Sequence, residues 1–224
     1  MRKFTRCSGQ LLNFACFHNT RANEWDKEDW NSPITIEDVL ETCEGFHQTW
    51  LELIKKAESM KVYTVMQRPP SSQIVRGKVV SIGDAAHHML PTHAQGGCQG
   101  VESAAALGIL LTDLPSNPAA SDLDSRLRVF EQLRLPRSAA TQILSSLNPQ
   151  LNQTAKEEKL AEIKRFYQGP LYNINAQPWS EPIRDFFYAY DVFEEAERAK
   201  QFVGKEDGIP EGAVEYFGRD IVSQ

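Results

Sequence analysis

Apolar and polar positions alternate loosely over residues 10–18, after a Ser8-Gly9 turn signal, and this period of two predicts a β-strand. Residues 19–34 are polar apart from Trp25 and Trp30 and read as a loop. Thr35 with Asp38 three positions on is a weak capping box, so a short helix starts there. Leu40 and Cys43 continue its apolar face, and it stops near Gly45. A second helical stretch carries Trp50, Leu51, Leu53 and Ile54, and the β-branched and aromatic run 62–66 predicts a strand that Pro69-Pro70 ends.

The middle of the chain changes period. Gly77 precedes Lys78-Val79-Val80-Ser81-Ile82, a short apolar run of the buried-strand type, which breaks into a loop at Gly83-Asp84. From about Gly97 the spacing is helical, with Val101, Ala104, Ala105, Leu107, Leu110 and Leu111, and it ends before Pro115. Leu127, Phe130 and Leu133 stand at core spacing in a helix over 123–135, which Pro136 should end or kink. Helical patterns resume over 139–147 and 156–167. The aromatic and acidic tail 179–199 has a good helix start in Ser180 and Pro182. Strands and helices first, then strand–loop–helix, then helices: the order predicts an α/β (α+β) arrangement.

Composition narrows the partners. The chain has 224 residues and a formal charge of -6, which argues against a general nucleic-acid binder because phosphate contacts need clustered Lys and Arg. Cys7, Cys16, Cys43 and Cys98 are scattered, without a CxxC or a framework spacing, and so predict free thiols in a reducing compartment. No run approaches the roughly 18 apolar residues of a membrane span. The basic N-terminus has an apolar stretch broken by Asn13 and lacks a clear cleavage site, so it reads as a strand rather than a signal, and a cytoplasmic location is expected.

Chemistry concentrates in residues 83–102, GDAAHHMLPTHAQGGCQGVE. A strand that ends in Gly83-Asp84 brings backbone close to a ligand and offers a carboxylate to its hydroxyls. A helix that starts near Gly96-Gly97 offers unpaired N–H groups and the positive end of a dipole, which favours an anion or enolate. Pro91 stiffens the loop between them. Such a pair of ends suits a polyhydroxylated, redox-active heterocycle. His87, His88, His93 and Cys98 match no standard zinc spacing, so no metal is expected. His88 or His93 could move a proton near neutrality, against the simpler reading of two loop histidines bonded to backbone. Cys98 at a helix start has no identifiable base partner. The aromatic residues Tyr167, Tyr172, Phe186, Phe187, Tyr188 and Tyr190 read as core packing before pocket lining.

The G-D-A-A-H-x-x-x-P string, then Gln-Gly, then a helix with Glu and Ala-Ala, resembles the second flavin motif of the salicylate-hydroxylase-like, FAD-dependent aromatic-ring monooxygenases. The preceding RGKVVSIGD and the following Glu131-x-x-Arg134-x-Pro136-Arg137 fit the same family. The resemblance spans nearly the whole chain and weakens after about residue 150. It implies an incomplete FAD-binding domain with a remnant of the substrate-binding β-sheet and a helical C-terminal region. Residues 1–75 would end the substrate-binding region, 76–150 would end the FAD-binding domain, and 151–224 would be a helical tail. It implies further that Gly83 and Asp84 meet the flavin ribityl or pyrophosphate region and that Pro91 lies beside the isoalloxazine ring. The backbone of Gln95, Gly96 and Gly97 would face the ring's pyrimidine edge. NAD(P)H would be the reductant, O2 the oxidant and a small aromatic molecule the substrate.

Three positions depart from the motif. Ala94 stands for a usual Gly, Cys98 for a usual Asn and Ser103 for a usual acid. No G-x-G-x-x-G follows a first strand, so the dinucleotide fingerprint is not in this sequence. The sequence therefore reads as the C-terminal portion of a monooxygenase. Two alternatives stand beside that reading: a shortened, cofactor-free isomerase or cyclase using Asp84 and His88, and an inactive binding module. With its neighbour missing, the strand over 78–82 should leave an apolar patch exposed, with self-association as the expected consequence.

Overall fold

Thr35 makes the first helix start where the sequence places it. Its hydroxyl accepts from the Asp38 N–H at 3.2 Å while the Asp38 carboxylate accepts from the Thr35 N–H at 3.2 Å, a complete capping box rather than a weak one. Helix α1 spans Ile36–Thr42 and Gly45, at φ +83°, lies in the turn before α2, Gln48–Ile54. In this computed structural model the described residues are 2–6, 11–18, 32–147, 151–176 and 180–210. Cys7, Trp25, Trp30, Trp179 and most of the polar segment 19–34 lie outside them.

The chain divides into two units, Met1–Val65 and Met66–Gln224. In the first, β1 (Arg2–Arg6) pairs antiparallel with β2 (Leu11–Ala15), with Phe4 opposite Asn13. β2 carries Phe14, which meets Trp50 of α2 edge to face at 5.8 Å. The strand expected over 62–66 is shorter: only Lys61–Val62 (β4) pairs, and its partner is Ser32–Pro33 (β3). Pro33 lacks the N–H that would extend a ladder there. Cys16, Cys43 and Cys98 are free thiols, and burial together with the neighbouring Cys16 pushes the Cys43 thiol up.

The second unit is built on one long helix. Its entrance is a hairpin, β5 (Val75–Arg76) antiparallel to β6 (Val79–Val80), turned by Gly77 at φ +56°. The run over 78–82 is thus a short hairpin strand and not a buried one: Val79 is 70% and Ile82 39% exposed. It has no second neighbour among the described residues; Val79 and Ile82 face solvent while Val80 packs against the core. Then come α3 (Asp84–His87), α4 (Gly96–Leu111) and α5 (Ala120–Ser145). Pro136 removes one intrahelical hydrogen bond, yet α5 runs through it. Every residue from Arg137 to Ser145 is buried, so tertiary packing holds the second half in line where local propensity would stop it.

α5 spans two apolar clusters. Its first half joins Ile74, Val75, Leu110, Val192, Ala196 and Ala199 through Leu127, Val129, Phe130 and Leu133. Its second half joins Ile163, Tyr167, Tyr172, Ile183, Phe186 and Phe187 through Ala140, Ile143 and Leu144. The later helices are α6 (Gln153–Ile163), α7 (Glu181–Tyr188) and α8 (Val192–Lys200). The tail breaks between α7 and α8 because Asp191 caps a new helix, accepting from the N–H groups of Phe193 and Glu194. Glu131 ties the hairpin to α5, its Oε1 accepting from Ile74 N at 2.6 Å and Val75 N at 2.9 Å. The architecture is the α/β (α+β) one that the order of elements implied.

Candidate functional site

The break after β6 is made by Gly83, at φ +60° and ψ -145°, a backbone region that glycine alone enters readily. It turns the chain into α3, a single helical turn whose first residue is Asp84. Gly83 sits against α4: a Cβ built on Gly100 would lie 3.6 Å from the Gly83 Cα. A Cβ on Gly96 would stand 4.0 Å from Asp84 Oδ1 and 3.9 Å from Met89 Cγ, and one on Gly97 would meet nothing within 4 Å. The exposed Asp84 carboxylate and the start of α4 are therefore neighbours, as the motif required, and no side chain of Gly96 or Gly97 fills the space between them.

Helix α4 begins where expected. Gln95 is its N-cap, and the N–H groups of the first turn at Gly96, Gly97 and Cys98 precede the first intrahelical bond, Gln99 N to Gln95 O at 2.9 Å. Ala94 carries φ +55°, the one described residue other than glycine in the left-handed region. Here the chain takes, with a Cβ attached, a turn that glycine enters freely, at a cost of about 1–2 kcal/mol. Pro91 is exposed between α3 and α4. Its loop is pinned to the end of α5, where Ser145 Oγ accepts from Leu90 N at 3.0 Å and Thr92 Oγ1 donates to Ser145 O at 2.5 Å.

The histidines separate. His88 closes α3 and is half-buried, while His93 packs its ring on Phe187 at 5.0 Å and meets Thr92 Oγ1 through Nδ1 at 3.1 Å. His87 is 1% exposed, and neither ring nitrogen has a hydrogen-bond partner among the described residues. Burial, and then the positive Arg134, lower its pKa, so the ring is held neutral. Gln95 is equally buried, and its side-chain amide is likewise unpartnered among the described residues. Among the described residues no cluster of three His, Cys, Asp or Glu could hold a metal ion.

Beneath this surface lies a charged network that the sequence reading noted only as part of a resemblance. Arg137 grips Glu102 with two bonds, Nε to Oε2 at 2.9 Å and Nη2 to Oε1 at 3.1 Å. Arg134, fully buried, donates to Glu102 Oε2 at 2.7 Å and to Gln99 Oε1 at 2.8 Å, and Gln99 Nε2 donates to Glu102 Oε1 at 3.0 Å. Arg137 also donates to the Phe186 and Phe187 carbonyls of α7 and lies 3.7 Å over the Tyr190 ring. Burial alone would raise the Glu102 pKa; the two guanidiniums reverse that and hold the carboxyl below its ordinary value. The network locks the start of α4 to α5 and to the α7–α8 corner. A signal was available: Arg134, Arg137, Ser138, Thr141, Gln142 and Ser145 recur at helical spacing, and all six are buried. The aromatic group resolves as core for Tyr167, Tyr172, Phe186 and Phe187, while Tyr188 is exposed and Tyr190 serves the arginine.

Comparison with known proteins accords with this geometry. Residues 17–142 match the family described as FAD binding domain. The chain is 28% identical over 211 residues to the FAD-dependent monooxygenase phomE of Diaporthe leptostromiformis, covering 93% of this chain and 54% of that protein. It is 30% identical over 191 residues to the FAD-dependent monooxygenase cfoG of Aspergillus candidus, covering 84% and 41%. A salicylate hydroxylase in complex with substrate superposes with a TM-score of 0.60 at 22% identity, over 87% of this chain and 46% of that one. The chain thus spans about half the length of the curated relatives it matches. With more than half of its residues inside the match and the glycine-lined Asp84–α4 corner in place, the chain belongs to the FAD binding domain family.

Proposed function

We propose that this chain supplies the flavin-ring end of a FAD-dependent monooxygenase that hydroxylates a small aromatic or other electron-rich molecule. The observation that carries the reading is the corner itself. Gly83 turns the Asp84 carboxylate toward a helix start whose two glycines leave room for a planar group. Asp84 would accept hydrogen bonds from ribityl hydroxyls, and the backbone of Gln95, Gly96 and Gly97 would meet the pyrimidine edge of the ring. Pro91 would bound the ring on the loop side. A bound FAD, reduced by NAD(P)H, would supply the oxygen chemistry, one atom of O2 going to the substrate ring and the other leaving as water. The residues of the chain orient and exclude water: the helix end favours negative charge at the ring edge, and the Glu102 network keeps that end from shifting. His88, half-buried beside this corner, is the candidate for moving a proton to or from substrate. In this reading residues 1–75 belong to the substrate-binding region, 76–150 to the FAD-binding domain, and 151–224 are a helical C-terminal tail.

Titration of the purified chain with FAD, followed by flavin fluorescence and absorbance, tests the assignment. Saturable quenching that weakens at least about tenfold in Asp84→Ala, with an unchanged melting temperature, is the expected result. A flavin response that is equal in a folded Asp84→Ala variant defeats it.

A further inference from the structure

Three buried side chains around the base of α4 keep polar atoms that no described residue satisfies. His87 ends α3 and is 1% exposed, and both its ring nitrogens are without a partner among the described residues. Gln95 opens α4 and is equally buried, yet its side chain makes no cap, and its Oε1 and Nε2 are unpartnered in the same sense. Thr141 is fully buried on α5, and its hydroxyl bonds nothing described. Other hydroxyls of α5 make the local bonds usual in a helix: Ser138 donates to Leu135 O at 3.2 Å and Ser145 to Gln142 O at 2.6 Å. The register of the helices brings the three side chains together. α4 and α5 run antiparallel, with Arg126 on Leu110 O and Arg134 on Glu102. The loop before α4 returns to the far end of α5, where Leu90 N donates to Ser145 Oγ at 3.0 Å. Gln95 and Thr141 lie between the Glu102 and Leu90 contacts, on facing stretches of chain. α3 packs on both helices, and the Arg134 and Glu102 charges both act on the His87 ring.

We infer that His87, Gln95 and Thr141 enclose an internal water site between α3, the start of α4 and the second half of α5. A buried polar atom without a partner is costly, and here five such atoms on three side chains stand ready for one shared ligand. The chemistry of the ligand follows from theirs. A neutral imidazole and a carboxamide each offer both a donor and an acceptor, and a hydroxyl can do either, so the ligand must also donate and accept. A simple cation or anion does only one. The charges nearest the ring, Arg134 and Glu102, are already paired with each other, and no three His, Cys, Asp or Glu gather among the described residues to hold a metal. Water meets the requirement, and this many polar atoms can supply the two to four partners a buried water takes. Bound there, it joins the end of α3, one turn after Asp84, to the residue before Gly96. It thereby fixes the spacing of the two sides of the Asp84–α4 corner.

A crystal structure of the 224-residue chain, at a resolution that shows ordered water, tests this and needs neither a variant nor a flavin. Expected is a well-ordered water bonded to a His87 ring nitrogen and to Gln95 or Thr141. A direct bond between His87 and Gln95, bonds from both to other parts of the chain, an ion in place of the water, or a dry seam overturns the inference. A double-mutant cycle in solution gives a second measurement. His87→Phe and Gln95→Met each remove one side of the site and should each lower the melting temperature. Their combination should lose clearly less stability than the two single losses together, because the second substitution no longer strands a bridged partner. Additive losses overturn the inference. Thr141→Val keeps the side-chain shape and should give the smallest drop; it replaces either larger change in the cycle if that change prevents folding. No step uses FAD, so failure of the flavin reading leaves each of these outcomes as it stands.

Discussion

The two faces of α4 reverse the usual arrangement. Inward, its first half presents Gln99, Glu102 and Ser103 to two buried arginines, with Ala106 and Leu110 in the core beyond them; outward, it presents Gly97, Val101, Ala104 and Gly108 to solvent. An isolated globular domain places these classes the other way round. The contrast marks a helix whose inner face is a fixed anchor and whose outer face is smooth and exposed. A polar inner face gives orientation, because charge pairs accept few geometries, while a smooth outer face gives close approach.

If that contrast is right, substitution should separate the faces. Glu102→Ala leaves two arginines buried without their carboxylate, and a loss of about 3–5 kcal/mol in urea unfolding is expected. Val101→Asp in the isolated chain should change stability by less than about 0.5 kcal/mol, because the side chain touches little. Equal losses from the two would end the comparison.

The corner between the faces should respond next. Gly83→Ala forces a side chain into φ +60°, ψ -145° and should cost about 1–3 kcal/mol. Ala94→Gly should be close to neutral or mildly stabilising, since relief of about 1–2 kcal/mol of left-handed strain opposes the greater chain entropy of glycine. Thermal melts of the two variants compare them directly. A destabilised Ala94→Gly would show that the Cβ itself is needed.

Acid should act on the buried groups of α3 and α4 in two stages. His87 is depressed below its ordinary 6.5, so the unfolded chain takes up this proton first; its contribution is complete above pH 6.5 and declines as pH falls toward the lower folded value. Glu102 is depressed below 4.5, so its contribution is complete above pH 4.5 and is lost as pH falls through its folded value. Stability measured from pH 7 down through the acid range below 4.5 should fall in that order, and His87→Phe should flatten the upper stage alone. An unchanged slope in that variant would place the titrating group elsewhere.

Much of the site was legible as a string. The turn at Gly83-Asp84 and a helix start near Gly96-Gly97 were read from a glycine, a carboxylate and a change of period, and the helix begins at Gly96. The Thr35 cap and the helix start at Ser180 are of the same local kind. The depth of the strand before the motif was not legible. An apolar run such as 78–82 carries no mark of whether it is covered, and Val79 proved exposed. Pro136 misled for the converse reason, because its local cost is overridden by packing along the whole second half of α5.

By itself, then, the sequence determined the family motif, the order of the elements and the residues that cap and turn them, since these depend on neighbours along the chain. Only the tertiary structure decided which side of α4 is inside. Arg137 lies 35 positions from Glu102 in sequence, and the Phe186 and Phe187 carbonyls are 49 and 50 from Arg137. A charge becomes an anchor only when folding removes its water and supplies its partners together, and no window along the chain contains them all.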